Sequence, residues 1–268
     1  MTTGALIFAF NNESTDYVAM AQWSAKNIRR HLGIPTAIVT DVDPGDQRLR
    51  GFDQVISATA SAGGTRWFED YQATVTWHNA GRTDAYTVSP WDQTLVLDAD
   101  YVVASDQLKT LLNSNQDFLA HARAYDLTGQ DNFTSLNEYG EYHMPMEWAT
   151  VMMFRRSDHA ELIFDCMKMI KNNWRHYKDL YHIAGPTYRN DHALSIALTI
   201  VNGQTLQHNS IPWDLASITP EHQLTQTAQD CYRVEYKDCN GRPRWIALNN
   251  QDFHAMGKRH LEEIIETH

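Results

Sequence analysis

The first forty residues alternate between apolar runs and a helical stripe, and this order limits the chain to few folds. Residues 5–10 form a short apolar run, and β-branched residues are frequent in residues 36–40. Between the two runs, apolar side chains recur at helical spacing before the stop signal Gly33, at Val18, Ala21, Ala25, Ile28 and Leu32. A strand, a helix and a strand in this order predict two parallel strands. The start of the chain therefore predicts an α/β sheet.

Length, cysteine usage and charge narrow the class of protein further. The chain has 268 residues, 43% of them hydrophobic, which suffices for one large α/β core. No apolar run approaches the roughly 18 residues that cross a membrane, so we expect a cytoplasmic protein without a membrane partner. Cys166, Cys231 and Cys239 form no C-x-x-C pair, which indicates neither a disulfide framework nor a zinc site. The formal charge of −11 opposes non-specific nucleic-acid binding without excluding a nucleic-acid acceptor.

The rest of the chain continues the α/β pattern. Strand-like and helical runs follow one another, the strands at residues 54–57, 95–103 and 149–154 and the helices at 67–78, 161–173 and 191–201. Residues 232–236 and 244–248 flank Asn240-Gly241 and predict a β-hairpin, and residues 261–267 predict a short helix. We therefore expect a mostly parallel central sheet flanked by helices, with a small C-terminal hairpin and a short helix.

The segment that says most about chemistry is the run at residues 95–103, which carries Asp98 and Asp100 around Ala99. If the strand continues through them, its alternation places both carboxylates on one face. Ligands of open α/β sheets bind outside the carboxyl ends of the strands, and carboxylate oxygens suit Mg²⁺ or Mn²⁺ carrying a diphosphate. No G-x-G-x-x-G or phosphate loop is present, so bound phosphates need such a partner. The alternative is a solvated strand end followed by a turn.

A second polar segment follows the predicted hairpin at residues 249–258 and ends in His254, Gly257 and Lys258. A neutral imidazole can ligate a divalent metal, glycine allows close backbone approach, and lysine is a compact charge for phosphate. These three residues therefore form a plausible diphosphate clamp. Taken alone, a histidine such as His254 is more often a surface or helix-capping residue than a metal ligand.

Four segments, in this order, resemble GT-A fold glycosyltransferases, especially the family that includes glycogenin and bacterial galactosyltransferases. They are the N-terminal strand with its polar loop and Tyr17, the run Ser-Pro-Trp-Asp-Gln-Thr-Leu-Val-Leu-Asp-Ala-Asp, the helix start at residues 190–194, and the terminal His-x-x-Gly-Lys. The likeness covers most of the chain. It implies a single GT-A domain over residues 1–268, with a nucleotide-binding half at 1–105 that ends in the D-x-D motif and an acceptor-side half at 106–268.

The resemblance also implies a function and residue roles. It implies transfer of a sugar from a nucleotide-sugar donor, usually UDP-linked, held through Mn²⁺ or Mg²⁺, with retention of anomeric configuration. Carried over by position, the metal ligands are Asp98, Asp100 and His254, and the donor-binding residues are Phe10, Asn11, Tyr17, Arg82, Asp98, Ala99, Asp100, Gly257 and Lys258. Asp191 would face the transferred sugar, and Glu147 is the second carboxylate considered for catalysis. Capping of the helix that it opens is the structural alternative for Asp191.

The acceptor and two rival functions stay open at this point. Many relatives carry Asn-x-Gly where residues 148–151 read Trp-Ala-Thr-Val, so the acceptor differs or is unusual. The N-terminal half also resembles small glycosyltransferases of bacterial viruses, for which the compartment would be the host cytoplasm, so a modified DNA base joins glycans and proteins as a possible acceptor. A sugar-phosphate nucleotidyltransferase would open with a glycine-rich basic loop, which this chain lacks. A non-catalytic nucleotide-sugar-binding protein would lose the paired carboxylates, which are present.

Overall fold

A computed structural model of the chain describes residues 1–61, 64–68, 71–130, 137–185, 187–203 and 209–267. The described strands are β1 Thr3–Phe8, β2 Thr36–Thr40, β3 Gln54–Ser57, β4 Thr65–Phe68, β5 Ala73–Thr76, β6 Gln93–Leu97, β7 Tyr101–Val102, β8 Phe118–His121, β9 Ala124–Asp126, β10 Glu138–Tyr139, β11 Met144–Pro145, β12 Trp148–Arg155, β13 Leu215–Ile218, β14 Gln223–Ala228, β15 Cys231–Lys237, β16 Pro243–Asn249 and β17 Phe253–Ala255. The described α-helices are α1 Tyr17–Leu32, α2 Ala85–Val88, α3 Lys109–Leu112, α4 Asp158–Asn172, α5 Trp174–Leu180, α6 Asn190–Val201 and α7 Lys258–Glu266.

The largest sheet has six strands in the order β3-β2-β1-β6-β12-β8. Strand β1 pairs in parallel with β2 and with β6, and β2 pairs in parallel with β3. Strand β12 runs antiparallel between β6 and β8. The predicted mostly parallel α/β sheet is therefore confirmed, and it draws strands from both halves of the chain.

Helix α1 makes the crossover between β1 and β2, and its ends follow the sequence signals. The Asp16 carboxylate accepts a hydrogen bond from the backbone N–H of Ala19 at 3.0 Å, which satisfies one donor at the start of the helix. At the other end Gly33 takes a left-handed conformation with φ 69°, and its N–H donates to the carbonyl of Arg29. The apolar side of the helix, including Val18 and Ile28, is fully buried.

Smaller sheets complete the fold. Strands β7, β17, β13 and β9 form a mixed four-stranded sheet beside the carboxyl end of β6. Strands β14, β15 and β16 form an antiparallel sheet in which residues 238–242 connect the last two strands, so the predicted hairpin exists with a longer loop. Helix α7 is the last described element of the chain. Among the described residues, no helix combines the length and the apolar character needed to cross a bilayer.

Two local expectations are wrong. Residues 67–78 are predicted as a helix, but the described part of this range contributes to the antiparallel pair of β4 and β5, here called the hairpin, in which Thr65 lies opposite Thr76. Residues 69–70 lie outside the described residues. The threonine, valine and aromatic side chains of the hairpin favour strands, and this preference overrides the apparent helical spacing. The strand before the paired carboxylates ends at Leu97, so Asp98 and Asp100 lie in a turn rather than alternate along a strand.

Candidate active site

A cavity of about 670 Å³ opens at the carboxyl ends of β1 and β6, where ligands of open α/β sheets bind. This volume lies within the range of small-molecule sites. Its walls combine the end of β1, the turn after β6, the hairpin of β4 and β5, the start of α6, and the junction of β17 with α7. Elements far apart in sequence therefore meet at one edge of the sheet.

The turn at Asp98, Ala99 and Asp100, here called the acidic turn, is held by backbone hydrogen bonds. The N–H of Asp98 donates to the carbonyl of Thr150 on β12 at 2.9 Å. The carbonyl of Asp100 accepts from the N–H of Ala255 on β17 at 3.0 Å. Because two different strands fix its ends, the acidic turn presents its carboxylates in a defined orientation.

His254 completes a three-residue cluster with the acidic turn. One ligand atom from each of Asp98, Asp100 and His254 lies within 4.8 Å of the other two. Strand β17 places His254 by pairing with β7 on one side and β13 on the other. Its Nε2 lies 3.6 Å from Oδ2 of Asp100, and its Nδ1 is buried without a hydrogen-bond partner among the described residues. Two hard carboxylates and the adjacent imidazole are a ligand set that fits Mn²⁺ or Mg²⁺.

Each carboxylate of the acidic turn also has a cationic partner. Arg82, with only 4% of its surface exposed, forms an ion pair with Asp98 and donates to the carbonyl of Ala149 at 2.8 Å. Lys258 forms an ion pair with Asp100. Burial alone would raise the pKa of Asp100, but the charges of Lys258 and His254 hold that pKa well below its ordinary value. Asp100 is therefore ionised, and Arg82 and Lys258 balance the charge of the acidic turn.

Asp191 enters the same cavity from the first turn of α6. Its Oδ1 accepts from the N–H of Ala149 at 3.0 Å, and its Oδ2 accepts from the guanidinium of Arg189 at 2.8 Å. Burial would raise the pKa of Asp191, but Arg189 and the Ala149 N–H lower it to about 2. No side chain caps α6, so the helix-capping alternative for Asp191 is wrong. The carboxylate bonds to a neighbouring strand instead.

The three predicted donor-binding residues nearest the N-terminus, Phe10, Asn11 and Tyr17, divide into two groups. Phe10 and Tyr17 line the cavity, together with Phe8 and Asn12, which the sequence did not single out. Asn11 is not among the lining residues. Its Oδ1 accepts from the N–H of Val18 at 3.0 Å, so it shapes the loop that leads into α1.

Glu147 and Gly257 also lie outside the cavity lining. Glu147 has 4% of its surface exposed, and its backbone N–H donates to Oγ of Ser195 at 2.7 Å. Together with burial and Tyr181, its charge raises the pKa of Tyr139. Gly257 precedes α7 with φ −78°, a conformation open to any residue, so the backbone at this position does not require glycine.

Sequence reasoning missed an aromatic contribution to the cavity. Trp67 and Phe68 of β4 line the cavity. Trp77, which directly follows β5, and Trp148 of β12 line it as well. Trp67 keeps 58% of its surface exposed although it is a large apolar residue. The signal was the aromatic-rich stretch after residue 66, but its assignment as a helix did not indicate that these residues line the cavity.

Comparisons with known proteins give similarity at the level of overall structure alone. No protein-family model and no curated protein matches the chain. It is similar to the apo glycosyltransferase GlyE of Streptococcus pneumoniae TIGR4, with 12% identity and a TM-score of 0.47 over 79% of this chain and 45% of that chain. It is also similar to the galactosyltransferase LgtC bound to donor and acceptor sugar analogues, with 13% identity and a TM-score of 0.48 over 73% of this chain and 70% of that chain.

A third similar structure is a glycosyltransferase involved in glycosylation of the major capsid of PBCV-1. It shares 12% identity and a TM-score of 0.39 over 80% of this chain and 82% of that chain. All three similar structures are described as glycosyltransferases. Identities this low assign neither a substrate nor a residue role, and this chain spans less than half of the GlyE chain.

Proposed function

We propose that this protein is a metal-dependent glycosyltransferase that moves a sugar from a UDP-sugar to an acceptor. The observation that carries the proposal is the convergence of Asp98, Asp100 and His254 at the rim of a ligand-sized cavity that also holds Asp191. A metal-ligand set and a separate ionised carboxylate in one cavity match the needs of this reaction. The metal-ligand set would hold the diphosphate of the donor, and the separate carboxylate would stabilise a sugar cation.

Donor binding would use the end of β1 and the acidic turn. Phe10 and Tyr17 offer flat apolar faces for the nucleobase at the cavity wall. A Mn²⁺ or Mg²⁺ ion held by Asp98, Asp100 and His254 would neutralise charge on the departing diphosphate. Residues 1–105 would in this way bind most of the nucleotide, and residues 106–268 would supply His254, Lys258 and the acceptor side.

Asp191 is proposed to stabilise the sugar as its anomeric bond breaks. With a pKa of about 2, this carboxylate is ionised near neutral pH and is a poor proton acceptor, so a general-base role is disfavoured. An ionised carboxylate next to an oxocarbenium-like centre lowers the barrier electrostatically. The proposed outcome is retention of anomeric configuration. Glu147, outside the cavity lining, stays the second carboxylate to test.

The acceptor is proposed to approach along the aromatic residues of the hairpin. Trp67, Phe68 and Trp77 line this part of the cavity, and the Trp67 ring is 58% exposed. An exposed aromatic ring can stack on a flat face of a sugar or a base. Glycans, proteins that carry a glycan, and modified DNA bases remain acceptor classes to be screened. The net charge of −11 disfavours an acceptor recognised through its phosphate backbone.

The test is a product assay with a panel of nucleotide sugars. The purified chain is incubated with each donor in Mn²⁺ or in chelator, and released nucleoside diphosphate is quantified, because slow donor hydrolysis reports turnover without a known acceptor. We expect Mn²⁺-dependent release of UDP from at least one donor. Asp165→Asn, on an exposed position of α4, is the matched control that removes an acid away from the cavity.

Two results would redirect the proposal. Metal-dependent UDP-sugar binding without any release of UDP, even with candidate acceptors, would indicate a binding protein. Formation of a nucleotide sugar and pyrophosphate from UTP and a sugar 1-phosphate would indicate a nucleotidyltransferase. Either result would contradict glycosyl transfer while leaving the nucleotide cavity in place.

A further inference from the structure

The two carboxylates of the acidic turn are neutralised by cations that are anchored very differently. Arg82 is almost fully buried, and one guanidinium nitrogen is committed to the carbonyl of Ala149 while another contacts Asp98. A guanidinium held at two points of the sheet is a permanent part of the structure. Asp98 therefore keeps its partner whether or not a ligand is present.

Lys258 is anchored more weakly. It is the first residue of α7, and its flexible stem carries Nζ to Oδ2 of Asp100 and within 3.2 Å of the carbonyl of Ala255. Its side chain retains 12% exposure and lines the cavity. An ammonium on four rotatable carbons can move several ångströms without any change in the backbone. Lys258 is therefore the cation that can leave the acidic turn.

The position of Nζ conflicts with metal binding. The Oδ2 atom that Lys258 contacts also lies 3.6 Å from Nε2 of His254, so the ammonium contacts the carboxylate oxygen that faces the histidine. Two cations cannot share one carboxylate oxygen at contact distance without strong repulsion in a buried setting. A divalent ion must therefore displace the lysine before it can use this oxygen.

We propose that Lys258 is a built-in competitor for the metal site, which occupies Asp100 until metal enters and is then released to contact the donor diphosphate. This inference rests on the proposed function, because it assigns an order of events to the same site. Before metal binds, Lys258 would balance the charge of Asp100 in the acidic turn. After metal binds, its ammonium would contact the diphosphate of the donor. Metal alone would then bind weakly, and metal with diphosphate would bind cooperatively.

The expected change in metal affinity follows from the fraction of molecules in which Lys258 contacts Asp100. If Lys258 covers Asp100 in nine molecules of ten, the apparent metal affinity falls by about tenfold. Lys258→Met keeps the apolar stem and removes the charge, so it should bind Mn²⁺ about tenfold more tightly than the unmodified protein. In saturating Mn²⁺ the same variant should bind UDP about tenfold more weakly, because a charge-assisted contact is lost. Opposite changes for metal and nucleotide distinguish a competitor from a simple binding residue.

The experiment is calorimetric titration of Mn²⁺ alone, followed by titration of UDP in saturating Mn²⁺. Lys258→Arg retains the cation and should bind Mn²⁺ no more tightly than the unmodified protein. Lys168→Met is the control for loss of a lysine, since Lys168 pairs with Asp84 on a different part of the surface. Its Mn²⁺ and UDP affinities should be unchanged. Thermal unfolding of each variant shows whether it is folded.

A second measurement uses the unmodified protein and so does not depend on how a variant folds. The Lys258 amine should react slowly with an acylating reagent in the metal-free protein, faster when Mn²⁺ alone is added, and slowly again with Mn²⁺ and UDP. Peptide mass spectrometry gives the extent of labelling at this residue, with Lys168 as the internal reference. This sequence of changes is expected only if metal releases the lysine.

Three results would overturn the inference, and they separate it from the proposed function. Equal or weaker Mn²⁺ binding by Lys258→Met, with normal binding by the unmodified protein, would remove the competition and leave the metal centre intact. Labelling that does not rise with Mn²⁺ alone would do the same. Absence of Mn²⁺ binding in every form, including Lys258→Met, would remove the metal centre itself and with it both proposals.

Discussion

Two walls of the cavity carry ionised carboxylates, and the charge of these carboxylates is balanced differently on each wall. The acidic wall, formed by Asp98, Asp100 and His254, neutralises its charge with cations that reach it from other parts of the chain. The helical wall, at the start of α6, satisfies Asp191 with the adjacent Arg189 and a backbone N–H. A carboxylate paired with a movable ammonium can exchange its partner for a ligand, whereas one held by backbone is fixed.

The backbone of Ala149 joins the two walls. Its carbonyl accepts from Arg82 behind the acidic wall, and its N–H donates to Asp191 on the helical wall. The difference between the walls therefore concerns the side chains, because both depend on the same residue of β12. This arrangement suits a site in which one wall binds and releases a charged group while the other keeps a constant charge near the reacting bond.

The largest change in turnover is expected for Asp100→Asn, a substitution in the acidic wall. The variant would lose one proposed metal ligand, and loss of several kcal/mol of leaving-group stabilisation should lower turnover by about a thousandfold. Released UDP in saturating donor and Mn²⁺ measures the change, with Asp165→Asn as the control. Since asparagine leaves Lys258 without its counter-charge, chemical unfolding must show that the variant is folded. Turnover within tenfold of normal in a folded variant would place the metal elsewhere.

On the helical wall we expect a smaller effect, from Asp191→Asn. The amide oxygen can still accept from the N–H of Ala149, so the geometry is retained while the negative charge is lost. Turnover should fall by about a hundredfold, the scale of one electrostatic contact in a transition state. Mn²⁺ affinity should stay normal, which separates the two walls. Near-normal turnover in this variant, with a large loss in Glu147→Gln, would transfer the catalytic role to Glu147.

The pH dependence of stability provides a third comparison. The pKa of Asp191 is about 2 in the folded protein against an ordinary value of 3.8, so folding favours the ionised form. The resulting stability is complete above the ordinary pKa and is lost as the pH falls through the folded one. The advantage of the unmodified protein over Asp191→Asn should be about 1 kcal/mol smaller at about pH 3 than at about pH 6. Urea unfolding at both values measures it, and an unchanged difference would mean that this pKa is not lowered.

The smallest kinetic change, an increase in the KM for an acceptor, is expected for Trp67→Ala. The side chain is 58% exposed, so its removal should change stability little. Loss of one stacking face should raise the KM for an acceptor by about fivefold, within the usual worth of an aromatic contact. The KM for the donor in the hydrolysis assay should stay constant. An increase in the donor KM instead would place the hairpin on the nucleotide side of the cavity.

The sequence predicted the elements whose signals are local. The buried runs of β1 and β6, the helical stripe of α1 and its stop at Gly33 needed only neighbouring residues to be read. The clustering of Asp98 and Asp100 with His254 was anticipated through the GT-A resemblance. Its geometric basis differs from the expectation, because the acidic turn is fixed by hydrogen bonds to β12 and β17 rather than by strand alternation.

The remaining features depend on contacts between distant segments. No local pattern indicates that Arg82 pairs with Asp98, that Lys258 covers Asp100, or that Asp191 bonds to β12 instead of its own helix. Residues 67–78 were misassigned because aromatic and apolar spacing alone does not distinguish a short hairpin from a helix. These are tertiary effects, and they determine which side chains actually face the cavity.

The most direct test of the metal-bound donor site is an anomalous diffraction measurement on crystals grown with Mn²⁺ and UDP. We expect one manganese peak within coordination distance of Asp98, Asp100 and His254, with the diphosphate on the ion and Lys258 moved from Asp100 to the phosphates. UDP should extend from there toward Phe10 and Tyr17. A manganese peak at other residues, or UDP bound in the cavity with no metal at the acidic turn, would contradict the central claim.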